Sequence, residues 1–202
     1  MHINNTRTIK RPKIIFIIGF LPSLFSVLLI FAFDSISIAV LTLCAAVLHE
    51  LGHLTASLLI HKNVNLNGVF FGLRINIKEL LSYREEIFVS SAGAGINLLT
   101  ALAIFLLGKS SEYLMFFGII NLMTGLSNLM PIKSFDGYRI LKAILNLKYD
   151  IDFTDKLTNK ISFSVLTLLS FFSLYLISKL NTGYVIFFIF FTYLVKNINQ
   201  TL

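Results

Sequence analysis

Uncharged or nearly uncharged apolar runs recur at positions 14–33, 35–60, 87–108, 113–132, 161–178 and 180–195. A helix needs about 20 residues to cross a hydrocarbon core about 30 Å thick. The first four runs meet that length, and the last two reach it only if they begin slightly earlier. The pattern predicts an all-α polytopic membrane protein with about six transmembrane helices. Between the second and third runs the period changes. Val64-Asn65-Leu66-Asn67 and Leu73-Arg74-Ile75-Asn76-Ile77-Lys78 alternate around Gly68 and Gly72. Period-two alternation predicts two short strands, as a hairpin or strand region lying on the cytoplasmic membrane face, with an irregular loop as the other reading. After the fourth run, Tyr138, Ile140, Leu141, Ile144 and Leu145 fall on one helical face opposite Arg139, Lys142 and Lys148, which predicts a short interfacial helix.

Composition agrees with this plan. Of 202 residues, 56% are hydrophobic and 13% charged, against about 25% charged in soluble domains. The mean hydropathy is +0.82. Twenty Phe and seven Tyr exclude a solvated, disordered chain. The single cysteine, Cys44, excludes a disulfide framework and a cysteine-based zinc cluster. The net charge of +7 would suggest nucleic acid were it not so unevenly placed. Fifteen Lys and Arg fall before the first run, between the second and third, between the fourth and fifth, or after the last; only Lys109 and Lys179 fall in the other connections. Basic loops stay in the cytoplasm, so both termini are expected there, and no nucleic-acid partner is implied. The run at 14–33 is longer than a signal-peptide core and lacks an A-x-A-like cleavage site, so a retained anchor is expected. Richness in Ile, Asn, Lys and Phe hints at an AT-rich bacterial genome, and hence at a bacterial cell membrane.

The chemistry sits in the second run, as His49-Glu50-Leu51-Gly52-His53. Ionisable groups inside a membrane helix are expensive, on the order of 3 kcal/mol for an acidic side chain at mid-bilayer, so a compensating partner is required. At about 100° per residue, His49 and His53 lie about 40° apart and one turn apart in height, so both imidazoles can meet one ion. Glu50 lies about 100° further round, placed to act on a water beside that ion. This is the H-E-x-x-H arrangement in which Glu serves as general base. Two ligands leave zinc short of the three that a catalytic site takes from the protein. His2 and His61 flank the runs on the solvent side, and Glu79, Glu85, Glu86, Asp150, Asp152 and Asp155 read as solvated faces. Asp136 differs, because Pro131 and Gly137 bracket it with helix breakers that let the backbone turn a carboxylate inward. From Ser35 to His49 is about 21 Å along a helix, which brings the histidines to the cytoplasmic part of their span, the side expected for Asp136.

These residues resemble the site-2 protease family of intramembrane zinc metalloproteases. That family pairs H-E-x-x-H with a later N-x-x-P-x-x-x-x-D-G, here Asn128-Leu129-Met130-Pro131-Ile132-Lys133-Ser134-Phe135-Asp136-Gly137. Ala92-Gly93-Ala94-Gly95-Ile96-Asn97 is similar to the family's A-G-P-x-x-N element, with Ala94 in place of Pro. The resemblance implies one zinc per chain on His49, His53 and Asp136, with Glu50 as catalytic base. It also implies that Asn97 lies near the substrate path and that Asn128 shapes the loop carrying Asp136. Gly93 and Gly95 are expected to shape the site or to allow close helix packing. Ser57, Asn97 and Asn128 are candidates to line a water route. The compact plan is most similar to the sporulation-type (stage IV sporulation FB-like) branch, as a single domain over 1–202 with no appended PDZ-like or nucleotide-sensing domain.

The implied function is hydrolysis of a peptide bond in or near the transmembrane segment of a membrane-tethered substrate, at the cytoplasmic side. The implied partners are that substrate and the bilayer, with a regulatory membrane protein or a second copy of the chain as further candidates. Two rivals stand beside this reading. A divalent-metal transporter would need further ligands along a route through the bilayer, and the other apolar runs contain no His, Asp or Glu. A catalytically inactive membrane adaptor would be expected to have lost core positions, whereas all four are present.

Overall fold

The computed structural model describes residues 36–60, 64–69, 72–77, 81–107, 111–180 and 184–199. The run at 14–33, and with it the expected anchor, lies outside the described residues. In chain order the elements are α1 (Ile36–Ile60), β1 (Val64–Val69), β2 (Gly72–Ile77), α2 (Tyr83–Leu106), α3 (Glu112–Asn128), α4 (Asp136–Asn146), α5 (Ile151–Leu180) and α6 (Tyr184–Asn199). The strands pair antiparallel, with Val64 opposite Ile77 and Val69 opposite Gly72. The remaining regular elements among the described residues are helices. Three helices, α1, α2 and α5, are long and apolar enough to cross a membrane among the described residues.

Helix ends depart from the apolar runs where polar groups cap them. The third run begins at 87, yet α2 starts at Tyr83, because Ser82 and Glu85 close a capping box over its first turn. The Ser82 backbone N–H donates to Glu85 Oε2 at 2.8 Å, so Glu85 is a helix cap rather than a free solvated charge. The fourth run reaches 132, but α3 stops at Asn128, before Pro131. The fifth run begins at 161, whereas α5 starts ten residues earlier at Ile151. There Asp150 Oδ2 accepts from the Phe153 N–H at 3.0 Å and starts the helix. Asp155, expected on a solvated face, pairs with Lys142 and ties α5 to α4.

The interior is built from small and polar residues. Ala45, Gly52, Ala56 and Ser57 are buried on α1, and Gly93, Ala94, Asn97 and Ala101 on α2. Large apolar side chains face out, among them Leu43, Leu99 and Phe172, each more than half exposed. This reverses the arrangement of a soluble protein and suits lipid, where helices associate by close packing of small residues. Together with the apolar helices, it makes this a membrane protein.

Helix α2 packs against α1, α3 and α4, and α5 packs against α4 and α6. The α1–α2 contact is closest at Gly52, where an added Cβ would lie 2.6 Å from the Ala92 carbonyl oxygen and 2.9 Å from Gly93 Cα. Between α3 and α4 the chain turns back on itself. Ile132 N–H donates to Met130 O at 2.8 Å, and Phe135 N–H donates to Ile132 O at 2.7 Å. Gly137 then passes beneath the Leu129 and Met130 carbonyls, too close for any side chain. The Lys133 N–H donates to Ser162 Oγ at 3.0 Å, and Tyr138 Oη donates to Asn159 Oδ1 at 3.0 Å, which anchors the turn and α4 to α5.

Replacing Gly52 by Ala should push α1 from α2 and destabilise the protein by about 1–3 kcal/mol, the usual range for overpacking. Thermal unfolding in detergent, followed by circular dichroism, should show a lower midpoint than the parent.

Candidate metal centre

Three side chains from two distant parts of the chain converge between α1 and α4. His49 Nε2 lies 3.0 Å from Asp136 Oδ2, and His53 Nε2 lies 3.1 Å from the same oxygen. The two Nε2 atoms are 3.2 Å apart. His49 and Asp136 are buried and His53 is half-buried. The helical spacing of the histidines puts their rings edge to face, with centroids 4.7 Å apart. Asp136 reaches them because it opens α4 immediately after the chain reversal.

Hydrogen bonds on the far side of each ring decide what the convergent atoms are. His53 Nδ1 lies 2.8 Å from the Val89 carbonyl, which can only accept, so Nδ1 carries the proton and Nε2 is bare. His49 Nδ1 lies 2.8 Å from Asn97 Oδ1. The orientation of that amide is set by its Nδ2, which donates to the Ala45 carbonyl at 3.0 Å. Oδ1 therefore accepts, His49 Nδ1 donates, and its Nε2 is bare as well. The Asp136 carboxyl faces both of these nitrogens, and a cation held among the three atoms would favour its ionised form. Its position in the first turn of α4 favours the anion too.

Two imidazole lone pairs and a carboxylate oxygen thus crowd within 3.2 Å of one another. Facing acceptors repel; a shared proton relieves this in part, and a metal cation among them relieves it for all three. Metal–ligand bonds of about 2.0–2.1 Å in a tetrahedron place ligand atoms about 3.3 Å apart. The observed triangle is close to that size, and two imidazoles with one carboxylate suit zinc or a similar divalent ion. Among the described residues, His49, His53 and Asp136 form the one such group able to hold a metal.

The remaining expected residues fall in different places. Glu50, next to His49, is half-buried. Gly93 faces the two rings: an added Cβ would collide with His53 Nε2 and lie 2.9 Å from His49 Cε1. Gly95 has no neighbour within 4 Å of an added Cβ among the described residues. Asn97 is fully buried with its amide occupied, and it holds His49 rather than facing an open path. Ser57 is likewise fully buried and donates to the His53 carbonyl at 2.7 Å, so it does not line an open water route. Asn128 donates to Thr124 O at 3.0 Å and finishes its own helix. Ala94 is buried within an unbroken helix. The sequence reading missed Asn121, which is fully buried and accepts from Asn97 Nδ2 at 2.8 Å. Its signal was available: an amide in the middle of an apolar run needs a partner. The role of the Val89 carbonyl left no trace in side-chain identity.

The fold is that of a site-2 protease. The chain superposes on the site-2 protease from Methanocaldococcus jannaschii with a TM-score of 0.58 and 21% identity, covering 92% of this chain and 88% of that one. It is also 38% identical over 112 residues to a Bacillus subtilis (strain 168) protein named "Putative peptide zinc metalloprotease protein YydH". That match covers 50% of this chain and 44% of the relative, so the chain spans less than half of that relative's length. No family model matches the chain. The chain thus shares its fold with a site-2 protease and part of its sequence with a protein named as a putative zinc metalloprotease.

Gly93 and Gly95 make a controlled pair. Gly93→Ala should remove at least about nine-tenths of zinc uptake, in line with disruption of a metal site's immediate support, while Gly95→Ala leaves uptake unchanged. Zinc content of the purified variants, measured by atomic absorption, checks both.

Proposed function

We propose that this protein is an intramembrane zinc metalloendopeptidase that cuts a peptide bond in or near the transmembrane segment of a membrane-tethered substrate, at the cytoplasmic side. The observation that carries the reading is the meeting of three acceptor atoms, His49 Nε2, His53 Nε2 and Asp136 Oδ2, inside an apolar helical fold. His49, His53 and Asp136 hold one zinc ion. Bound there, zinc supplies a Lewis acid, which lowers the pKa of a water towards about 7 and polarises a carbonyl.

The chain's own groups do the rest. Glu50, one residue from His49, takes the proton of the attacking water and returns it to the leaving amine. Asn97 and the Val89 carbonyl keep both imidazoles turned with Nε2 towards the ion. Gly93 keeps the space against the rings free of side chain. An extended substrate adding to an edge of the β1–β2 pair would present the amides that a helix hides.

In this reading the single domain has about six spans, with the run at 14–33 as the first and α3 and α6 completing the count. Both termini and the strand pair are cytoplasmic, in a bacterial cell membrane. A transporter is less well supported, because the metal-holding group stands alone among the described residues and no second group continues a route from it. An inactive adaptor has no need of a complete H-E-x-x-H and aspartate set.

Co-expression with membrane-tethered precursors tests the reading. Glu50→Gln should keep its zinc but lower cleavage near the inner leaflet by about 10²–10⁴-fold, the range for loss of a general base. Asp136→Ala should lose zinc and cleavage together. Metal flux in proteoliposomes, with no precursor cut, would place the protein among the transporters instead.

A further inference from the structure

We propose that Asn121, on α3, is a positioning residue for the metal centre: acting through Asn97, it sets which face of the His49 imidazole meets the ion. The inference rests on His49, His53 and Asp136 being zinc ligands, and extends that site by one hydrogen-bonded link into a third helix.

The chain of donors and acceptors has a single direction. Asn121 Nδ2 donates to the Phe117 carbonyl at 2.8 Å. A carbonyl cannot donate, so Asn121 Oδ1 is left facing Asn97, whose Nδ2 donates to it at 2.8 Å. The same Nδ2 gives its other hydrogen to the Ala45 carbonyl at 3.0 Å. With Nδ2 held from two sides, Asn97 Oδ1 points at His49 Nδ1, 2.8 Å away. An acceptor there demands the Nδ1–H tautomer and leaves the Nε2 lone pair for the ion. Both asparagines are fully buried, so water does not substitute for either amide.

Without the Asn121 oxygen, one buried N–H of Asn97 has no partner, and only the Ala45 carbonyl opposes rotation of the amide. A rotated amide presents N–H to His49 Nδ1 and favours the tautomer with the proton on Nε2, pointing into the ligand triangle. Outer hydrogen-bond partners of metal ligands typically contribute about 10–100-fold to affinity. Asn121 is two links from the ion, so the lower end of that range applies.

The test uses the full chain purified in detergent, with zinc affinity measured by chelator competition and ligand geometry read from the visible spectrum of the cobalt-substituted protein. Asn121→Leu keeps the volume and removes the polar atoms, and should weaken zinc about tenfold and alter the cobalt bands. Asn121→Asp has the same shape, and burial favours its protonated form. It offers an acceptor to Asn97 and an O–H to the Phe117 carbonyl, so it should bind zinc within about threefold of the parent. If Asn121→Leu does not fold, Asn121→Ala takes its place in the comparison with Asn121→Asp. Parent-like affinity and cobalt spectrum in the apolar variant would overturn the proposal. Equal losses in the apolar and Asp variants would overturn it too, by showing that only packing matters. If the parent takes up no zinc, or Asp136→Ala binds it equally well, the ligand assignment itself fails and this proposal falls with it.

Discussion

The arrangement depends on a confrontation of like groups: two bare imidazole nitrogens and a carboxylate oxygen within 3.2 Å of one another. Left alone they repel. A proton shared among them relieves the repulsion in part, and a divalent cation relieves it fully, since each atom then keeps its lone pair as a donor to the metal. The surrounding structure is organised to keep those lone pairs free. Val89 and Asn97 occupy the opposite ring nitrogens, and Gly93 and Gly52 let α2 come close enough to do so.

Lipid is the second constraint, and it explains the composition of the interior. With hydrocarbon outside, apolar side chains gain little by turning inward, so the large ones face out and helices meet through Ala, Gly and Ser. The buried polar groups then serve as fixed struts. Ser57, Thr100, Thr124 and Ser170 donate to carbonyls in the preceding turn of their own helices, whereas Asn97 and Asn121 reach across to others.

Much of this was legible in the chain. Helical spacing placed His49 and His53 together, and Pro131 and Gly137 marked the reversal that presents Asp136. The short basic helix after that turn was also visible in its alternation of apolar and charged faces. Helix ends were less legible, because Ser82, Glu85 and Asp150 extend α2 and α5 into stretches whose hydropathy is low. Gly93 and Gly95 look equivalent in the sequence, and only the path of α1 shows that Gly93 faces the imidazoles, while Gly95 meets none of the described residues. Asn97 was legible as important but not as a strut for His49, since which neighbour an amide meets is a property of packing rather than of spacing.

The third donor is carried differently from the first two. His49 and His53 ride on one continuous helix, whereas Asp136 follows a folded-back turn and is separated from His49 by 87 positions along the chain. An ion gripped by all three therefore acts as a clasp, joining segments that the backbone connects only by a long detour. In such a molecule, binding of the ion would add to the stability of the folded state.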